Sequence, residues 1–132
     1  MQSIQMEASM VNAVCIGNVS YDTIEFQGRT ISSPGGAPYF ISKSFKEKGL
    51  DCRIVAKAGE DFKKRHLHFT NTEGIQKCTE TTTIRIYEDE NGARGEITRY
   101  AGDIDLLQIP LQYRSVPVFI ISTIMEDIPI KV

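Results

Sequence analysis

The chain is poor in the features that announce the commoner specialised classes. It has only three cysteines in 132 residues, Cys15, Cys52 and Cys78. The number is odd and no two have C-x-x-C spacing, which speaks against a disulfide framework or a zinc site and fits a reducing cytoplasm. Cys15 and Cys52 lie in apolar runs, where cysteine behaves as a small hydrophobe. Long apolar runs are missing too: the stretch 116–121 is interrupted by Pro117 and is far too short to span a bilayer. Basic excess is absent, with a formal net charge of −2. No Lys/Arg cluster resembles a phosphate-tracking surface, so neither nucleic acid nor an anionic membrane is expected as a partner. Residues 1–10 lack a basic n-region and an apolar h-region and are expected to be a disordered leader rather than a secretory signal, with Met10 as an alternative start. There is no internal repeat, no Walker-type G-x-x-x-x-G-K-[ST], no G-x-G-x-x-G and no G-x-S-x-G elbow, so nothing announces a nucleotide site or a serine nucleophile.

What is present is the composition of a soluble globular domain, 41% apolar and 24% charged, at a length that suits one core. Residues 11–132 are expected to form a single α/β domain. The run 11–17 reads as a buried strand, parallel to its neighbours, followed by a loop over 18–22 at its C-terminal end, where open α/β sheets bind ligands. Residues 23–33 read as two short extended pieces joined by a turn around Gln27-Gly28-Arg29. A helix is predicted over 37–48: Pro38 suits the first turn, Ala37, Ile41 and Phe45 recur every four residues, lysines crowd the C-terminal half, and Gly49 stops it. Residues 51–58 give a second strand, closed by Gly59-Glu60-Asp61, which completes a βαβ pattern. The segment 62–77 allows one helical turn or two.

From 79 to 101 the pattern is a hairpin. Thr81, Thr82, Thr83, Ile84 and Ile86 are β-branched, residues 96–100 alternate, and Asn91-Gly92 is a preferred pair for a type I′ turn. With that turn, Ile86 would face Ile97, Arg85 would face Thr98 and Tyr87 would face Glu96. The hairpin is expected to pair with the 24–33 strands or with another chain. Residues 103–110 suggest a capped turn or short helix, and 116–124 a third apolar strand.

The strongest functional clue joins Asp22 to Gly35-Gly36. Two glycines where an extended segment hands over to a helix would present backbone N–H groups at the positive end of the helix dipole, a setting for acceptor oxygens of a sugar, carboxylate or phosphate. Asp22 adds an acceptor for hydroxyl groups. The bland alternative, a loop aspartate beside an unliganded turn, stays open on residue types alone. His66-x-His68 would place two rings on one face of a strand, but no further ligand stands at metal spacing. Asp103 and Asp105 read as a solvated helix start, where acidic residues suit the first turn.

In order and spacing, these segments resemble the N-terminal half of the ribokinase-like (PfkB) family of sugar and nucleoside kinases. Residues 14–24 resemble its opening strand and sugar-binding aspartate, Pro34-Gly35-Gly36-Ala37 its Gly-Gly motif, 49–62 its second strand with Gly-x-Asp, and Thr81-Thr82-Thr83 with the hairpin its lid. Phe40 stands where the family commonly has asparagine, in an Ala-Pro-Tyr-Phe-Ile-Ser context similar to the myo-inositol kinase and archaeal sugar kinase branch. The resemblance covers about residues 11–124 and implies a partial ribokinase-like sheet with a small β lid, formed by about 24–33 and 79–101. It implies that Asp22, Gly35 and Gly36, with Ser20 as a further candidate, hold a sugar, cyclitol or nucleoside. It also implies ATP and Mg²⁺ as cofactors and a homodimer formed through the lid. The Gly-Ala-Gly-Asp motif, with its general base and anion hole, has no counterpart here. The expectation is therefore a kinase portion that does not catalyse alone, or else a non-catalytic polyol-binding or dimerising remnant.

Overall fold

The structure is a computed structural model that describes residues 10–124 and Ile128. The expected leader over 1–10 falls outside the described residues except for Met10, which is exposed. The fold class read from the sequence is observed: a mixed α/β architecture of two four-stranded sheets and one α-helix among the described residues.

The main sheet is parallel. Strand β1 (Ala13–Ile16) lies at its centre, flanked by β4 (Cys52–Ala58) and β8 (Phe119–Ile121), with β5 (Ile75–Lys77) outside β4. The four residues of β1 are all buried. That is why the sequence shows a near-continuous apolar run rather than an alternation, since both faces of a parallel strand are covered. On one face, Ala13, Cys15 and Cys52 pack against Ile41, Phe45 and Ile120. On the other, Val14, Ile16 and Val55 pack against Ile104, Tyr113 and Ile128.

Helix α1 (Ala37–Glu47) makes the crossover between β1 and β4. Gly49, at φ 76°, ends it in the left-handed region. The Leu50 amide donates to the Phe45 carbonyl at 2.9 Å, satisfying an otherwise orphaned group. Midway along the helix, the buried Ser42 hydroxyl donates to the Cys52 carbonyl and pins it to β4.

The second sheet runs β3 (Arg29–Gly35), β2 (Ser20–Phe26), β6 (Thr82–Asp89), β7 (Gly92–Arg99). Strands β2 and β3 form an antiparallel hairpin, β2 runs parallel to β6, and β6 and β7 form a second hairpin. This is the expected pairing of the 79–101 hairpin with the 24–33 strands.

Three expectations need correction. Residues 20–22 are strand, not loop: Ser20, Tyr21 and Asp22 pair with β3 on one side and β6 on the other, which gives their backbone groups ladder partners. The turn with both central residues at positive φ lies at Gln27 (49°) and Gly28 (73°), while the second hairpin turns at Glu90-Asn91 and Gly92 already belongs to β7. Consequently Ile84, not Ile86, faces Ile97, Arg85 faces Glu96 rather than Thr98, and Tyr87 faces Arg94 rather than Glu96. The displacement is two residues, so each side chain keeps its face. The observed register gains charge complementarity. Arg85 bonds Glu25 through Nε and Nη2, both at 2.9 Å, and Glu96 through Nη1 at 3.2 Å.

The segment left open at 62–77 holds a 3-10 turn (Lys64–Leu67) and the short strand β5. Residues 103–110 contain the 3-10 turn Leu106–Gln108, capped by Asp105 accepting from the Leu107 amide at 2.9 Å. The third apolar strand is shorter than predicted, at Phe119–Ile121.

Candidate functional site

Where the chain passes from β1 of the main sheet into β2 of the second, the four residues singled out from the sequence come together. Ser20 pairs with Gly35 and Asp22 with Ser33 across the β2–β3 hairpin. Asp22 lies two residues along from Ser20 on the same face and leans back over Gly35, so a Cβ at Gly35 would stand 2.1 Å from Asp22 Oδ2. Glycine at this position is therefore what lets the carboxylate lie against the backbone. The Ser20 hydroxyl donates to Asp22 Oδ1 at 2.7 Å, which fixes the orientation of the carboxylate.

Gly36 has a different reason for being glycine. It caps α1 with φ 91° and ψ 146°, and a Cβ there would lie 2.8 Å from the Asn18 carbonyl oxygen and 3.1 Å from Val19 Cα. The strand-to-helix handover thus passes over the β1–β2 connection at backbone contact distance. No side chain caps the helix. Pro38, in the first turn, offers no amide, so the helix start presents fewer donors than its length suggests.

Sequence reasoning missed the residues that hold this junction. Asn18 is fully buried. Its Oδ1 accepts from the Lys57 amide at 2.8 Å and its Nδ2 donates to the Gly102 carbonyl at 3.0 Å. One side chain therefore ties the end of β1 to β4 and to the segment after β7. Asp61 does the same for the start of β6: its Oδ1 accepts from the Thr81 hydroxyl at 2.7 Å and the Thr81 amide at 3.2 Å. The Thr81 hydroxyl oxygen in turn accepts from the Gly59 amide at 2.9 Å. The only sequence signals were an asparagine directly after Gly17 and the Gly59-Glu60-Asp61 triplet; their partners lie 20 or more residues away.

On the face of the second sheet that carries Asp22, the register also places Ile24, Ile31, Ile84, Ile86 and Ile97. The opposite face carries the Arg85–Glu25 pair, where the guanidinium holds the Glu25 carboxyl below its ordinary range.

The other sequence candidates go elsewhere. His66 stacks edge-on to Tyr21 and Phe62, with ring centroids 5.6 and 5.4 Å away, and burial, with Arg65 nearby, lowers its basicity. His68 sits on the Arg65 carbonyl. Among the described residues, no three of His, Cys, Asp and Glu gather as a metal site. Asp103 accepts from the Tyr100 hydroxyl at 2.7 Å, and Asp105 caps its turn. No helix among the described residues is long and apolar enough to cross a membrane.

No protein-family model matches the chain. It is 31% identical over 133 aligned residues to the cytidine kinase of Thermococcus kodakarensis, covering 92% of this chain and 47% of that protein. A pyrophosphate-dependent kinase in the ribokinase family, solved with a pyrophosphate analog and myo-inositol, superposes with a TM-score of 0.71 at 14% identity, over 89% of this chain and 42% of that one. An uncharacterised sugar kinase from Pyrococcus horikoshii, in complex with ATP, superposes with a TM-score of 0.64 at 17% identity, over 77% and 39%. This is a ribokinase-like fold. The solved structures it is similar to include a kinase in the ribokinase family and a sugar kinase, and the chain spans about half the length of the curated relative it matches. The second sheet is formed by the segments, about 24–33 and 79–101, from which the resemblance led us to expect a β lid.

Proposed function

We propose that the chain is the acceptor-binding, N-terminal portion of a ribokinase-type kinase, one that transfers phosphate from ATP to a hydroxyl of a sugar, cyclitol or nucleoside. The observation that carries this reading is the Asp22 carboxylate laid against Gly35 and oriented by Ser20. A carboxylate so held has acceptor capacity left for ligand hydroxyls and repels a phosphate, so the pocket suits the polyol acceptor rather than the donor. The relatives' named ligands, cytidine and myo-inositol, are both polyhydroxylated. Asp22 and Ser20 would bind hydroxyls, while Gly35 and Gly36 supply the backbone floor.

ATP and Mg²⁺ are implied by the family resemblance; the sequence has no Walker-type glycine loop, and Mg²⁺ on a nucleotide would need only one or two carboxylates beside the phosphates. Phosphoryl transfer depends on positioning and charge stabilisation, and those groups would come from polypeptide beyond this chain. In this reading the protein works in the cytoplasm, where its free cysteines stay reduced, and pairs with a second copy through the exposed apolar lid side chains Phe26 and Ile31.

The test is calorimetric titration of the purified chain with cytidine and with myo-inositol, beside an ATP-consumption assay over a polyol panel. Saturable binding of one of them, weakened at least tenfold in Asp22→Asn and without ATP turnover, is expected. Binding indifferent to Asp22→Asn would overturn the site, and turnover by the chain alone would overturn its dependence on a second portion.

A further inference from the structure

Apart from the proposed acceptor site, a cavity opens at the carboxyl ends of β4 and β5, the end of a parallel sheet where open α/β folds bind ligands. Its volume is about 390 Å³, within the range of small-ligand clefts. Ser20, Asp22, Gly35 and Gly36 take no part in its lining.

The floor of this cavity is apolar. Phe62 and Leu67 are buried members of the core, and the half-buried Ile75 packs against the same cluster. The rim is basic. Lys63 and Lys64 come from the segment that follows Asp61, where the 3-10 turn begins. Lys77 closes β5, and the ladder that sets it opposite Ala58 carries it to the same mouth. All three lysines are exposed, and among the described residues none has a carboxylate at ion-pair distance. Glu60 is the one acidic residue in the lining, and Thr72 adds a hydroxyl.

Three ammonium groups against one carboxylate leave a positive field at the mouth of an apolar pocket, which draws in an anion. Lysine is a compact point charge that suits phosphate, and a dianion draws on several such charges better than a carboxylate does. The apolar floor requires more than the anion, because a bare phosphate would leave it against water. We propose that this cavity binds a small organic phosphate, with its phosphoryl group held by Lys63, Lys64 and Lys77 and its apolar or aromatic body resting on Phe62, Leu67 and Ile75. The site uses none of the acceptor residues, so it stands or falls independently of the reading above.

The probe is phenyl phosphate, titrated into the purified chain at neutral pH and followed by calorimetry and by amide chemical shifts. Saturable one-to-one binding is expected, with the shifts centred on Gly59, Phe62 and Lys77 rather than on Asp22. Phenol and inorganic phosphate each offer half of the recognition and should bind about tenfold more weakly; benzoate, a monoanion, should bind about fivefold more weakly. Lys77→Ala and the double variant Lys63→Ala/Lys64→Ala change exposed positions, and circular dichroism checks that the fold is intact. Each should weaken phenyl phosphate about fivefold, while Asp22→Asn should leave its binding unchanged. Absence of saturable binding, shifts centred on another face, or affinity indifferent to the lysine variants would overturn the proposal. So would phenol, inorganic phosphate or benzoate binding as tightly as phenyl phosphate. Binding lost in Asp22→Asn would put the probe in the acceptor site and overturn it as well.

Discussion

Replacing Gly35 by alanine isolates the contact on which the proposed acceptor site depends. Gly35 is not among the residues at positive φ, so its backbone accepts an alanine. Its neighbour does not. A Cβ would stand 2.1 Å from Asp22 Oδ2 and 2.6 Å from Asp22 Cγ, well inside the 3.4 Å of ordinary contact. The hairpin is paired along its whole length, so the carboxylate has to turn away and give up the hydrogen bond from Ser20. A hydrogen bond to a charged acceptor contributes about 1.5–3 kcal/mol, and a strained side-chain torsion adds about 1 kcal/mol. Partial exposure discounts this to about 2 kcal/mol in all. In an Asp22→Ala background both the clash and the bond are gone, and Gly35→Ala should shift stability by no more than about 0.5 kcal/mol. Urea unfolding of the four proteins of this cycle, followed by far-UV circular dichroism, should therefore return a coupling of about 1.5–2 kcal/mol. Gly36→Ala is the control: its φ of 91° and its approach to the Asn18 carbonyl make it destabilising by about 1–3 kcal/mol whether or not Asp22 is present. Additive energies in the Asp22–Gly35 cycle would refute the placement of the carboxylate.

Two further outcomes follow from buried groups. Asn18→Ala leaves the Lys57 amide and the Gly102 carbonyl without their partner. It should lower stability by about 2–4 kcal/mol and release the Lys57 amide to faster hydrogen exchange; unchanged exchange there would contradict its bridging role. Burial, with Cys52 nearby, pushes the Cys15 thiol up to about 12, and burial, with Asp51 nearby, pushes Cys52 up to about 11. Both are ordinarily near 9.0, so above that pH the unfolded chain loses protons that the folded chain keeps, and stability falls as pH rises. At about 1.4 kcal/mol per unit per thiol, raising the pH from 8 to 10 should remove about 2–3 kcal/mol. The urea midpoint should drop accordingly in the native protein and much less in a Cys15→Ala/Cys52→Ala variant, and equal drops in both would refute the assignment.

The elements legible in the sequence were those whose pattern is local. Strand β1, helix α1 and strand β4 follow from an apolar run, a four-residue stripe ending at Gly49 and a second run, and all three appear within a residue or two of their predicted bounds. The gathering of Ser20, Asp22, Gly35 and Gly36 was legible because glycine pairs at a strand-to-helix handover have few conformational uses. The hairpin turn was not. Asn91-Gly92 is the stronger local signal, yet the β6–β7 register is set by Arg85, which reaches Glu25 on β2 as well as Glu96. A contact 60 residues away in sequence leaves no trace in a short window. The same holds for Asn18, bonded to the Lys57 amide and the Gly102 carbonyl, and for Thr81, bonded to the Asp61 carboxylate and the Gly59 amide.

Strand β2 has one consequence for how any closure must work. It belongs to the lid sheet from its first residue, and Asp22 is its third. In the proposed reading, the group that grips the ligand and the flap that covers it are one plank, not two jaws. Whatever tilts the lid tilts the carboxylate with it. In that reading the fulcrum would be the junction at Ser20 and Gly36, braced by Asn18 on one flank and by Asp61 with Thr81 on the other. A ligand would then be aligned by the swing of its own cover, and the accuracy of that alignment is set by the stiffness of these braces.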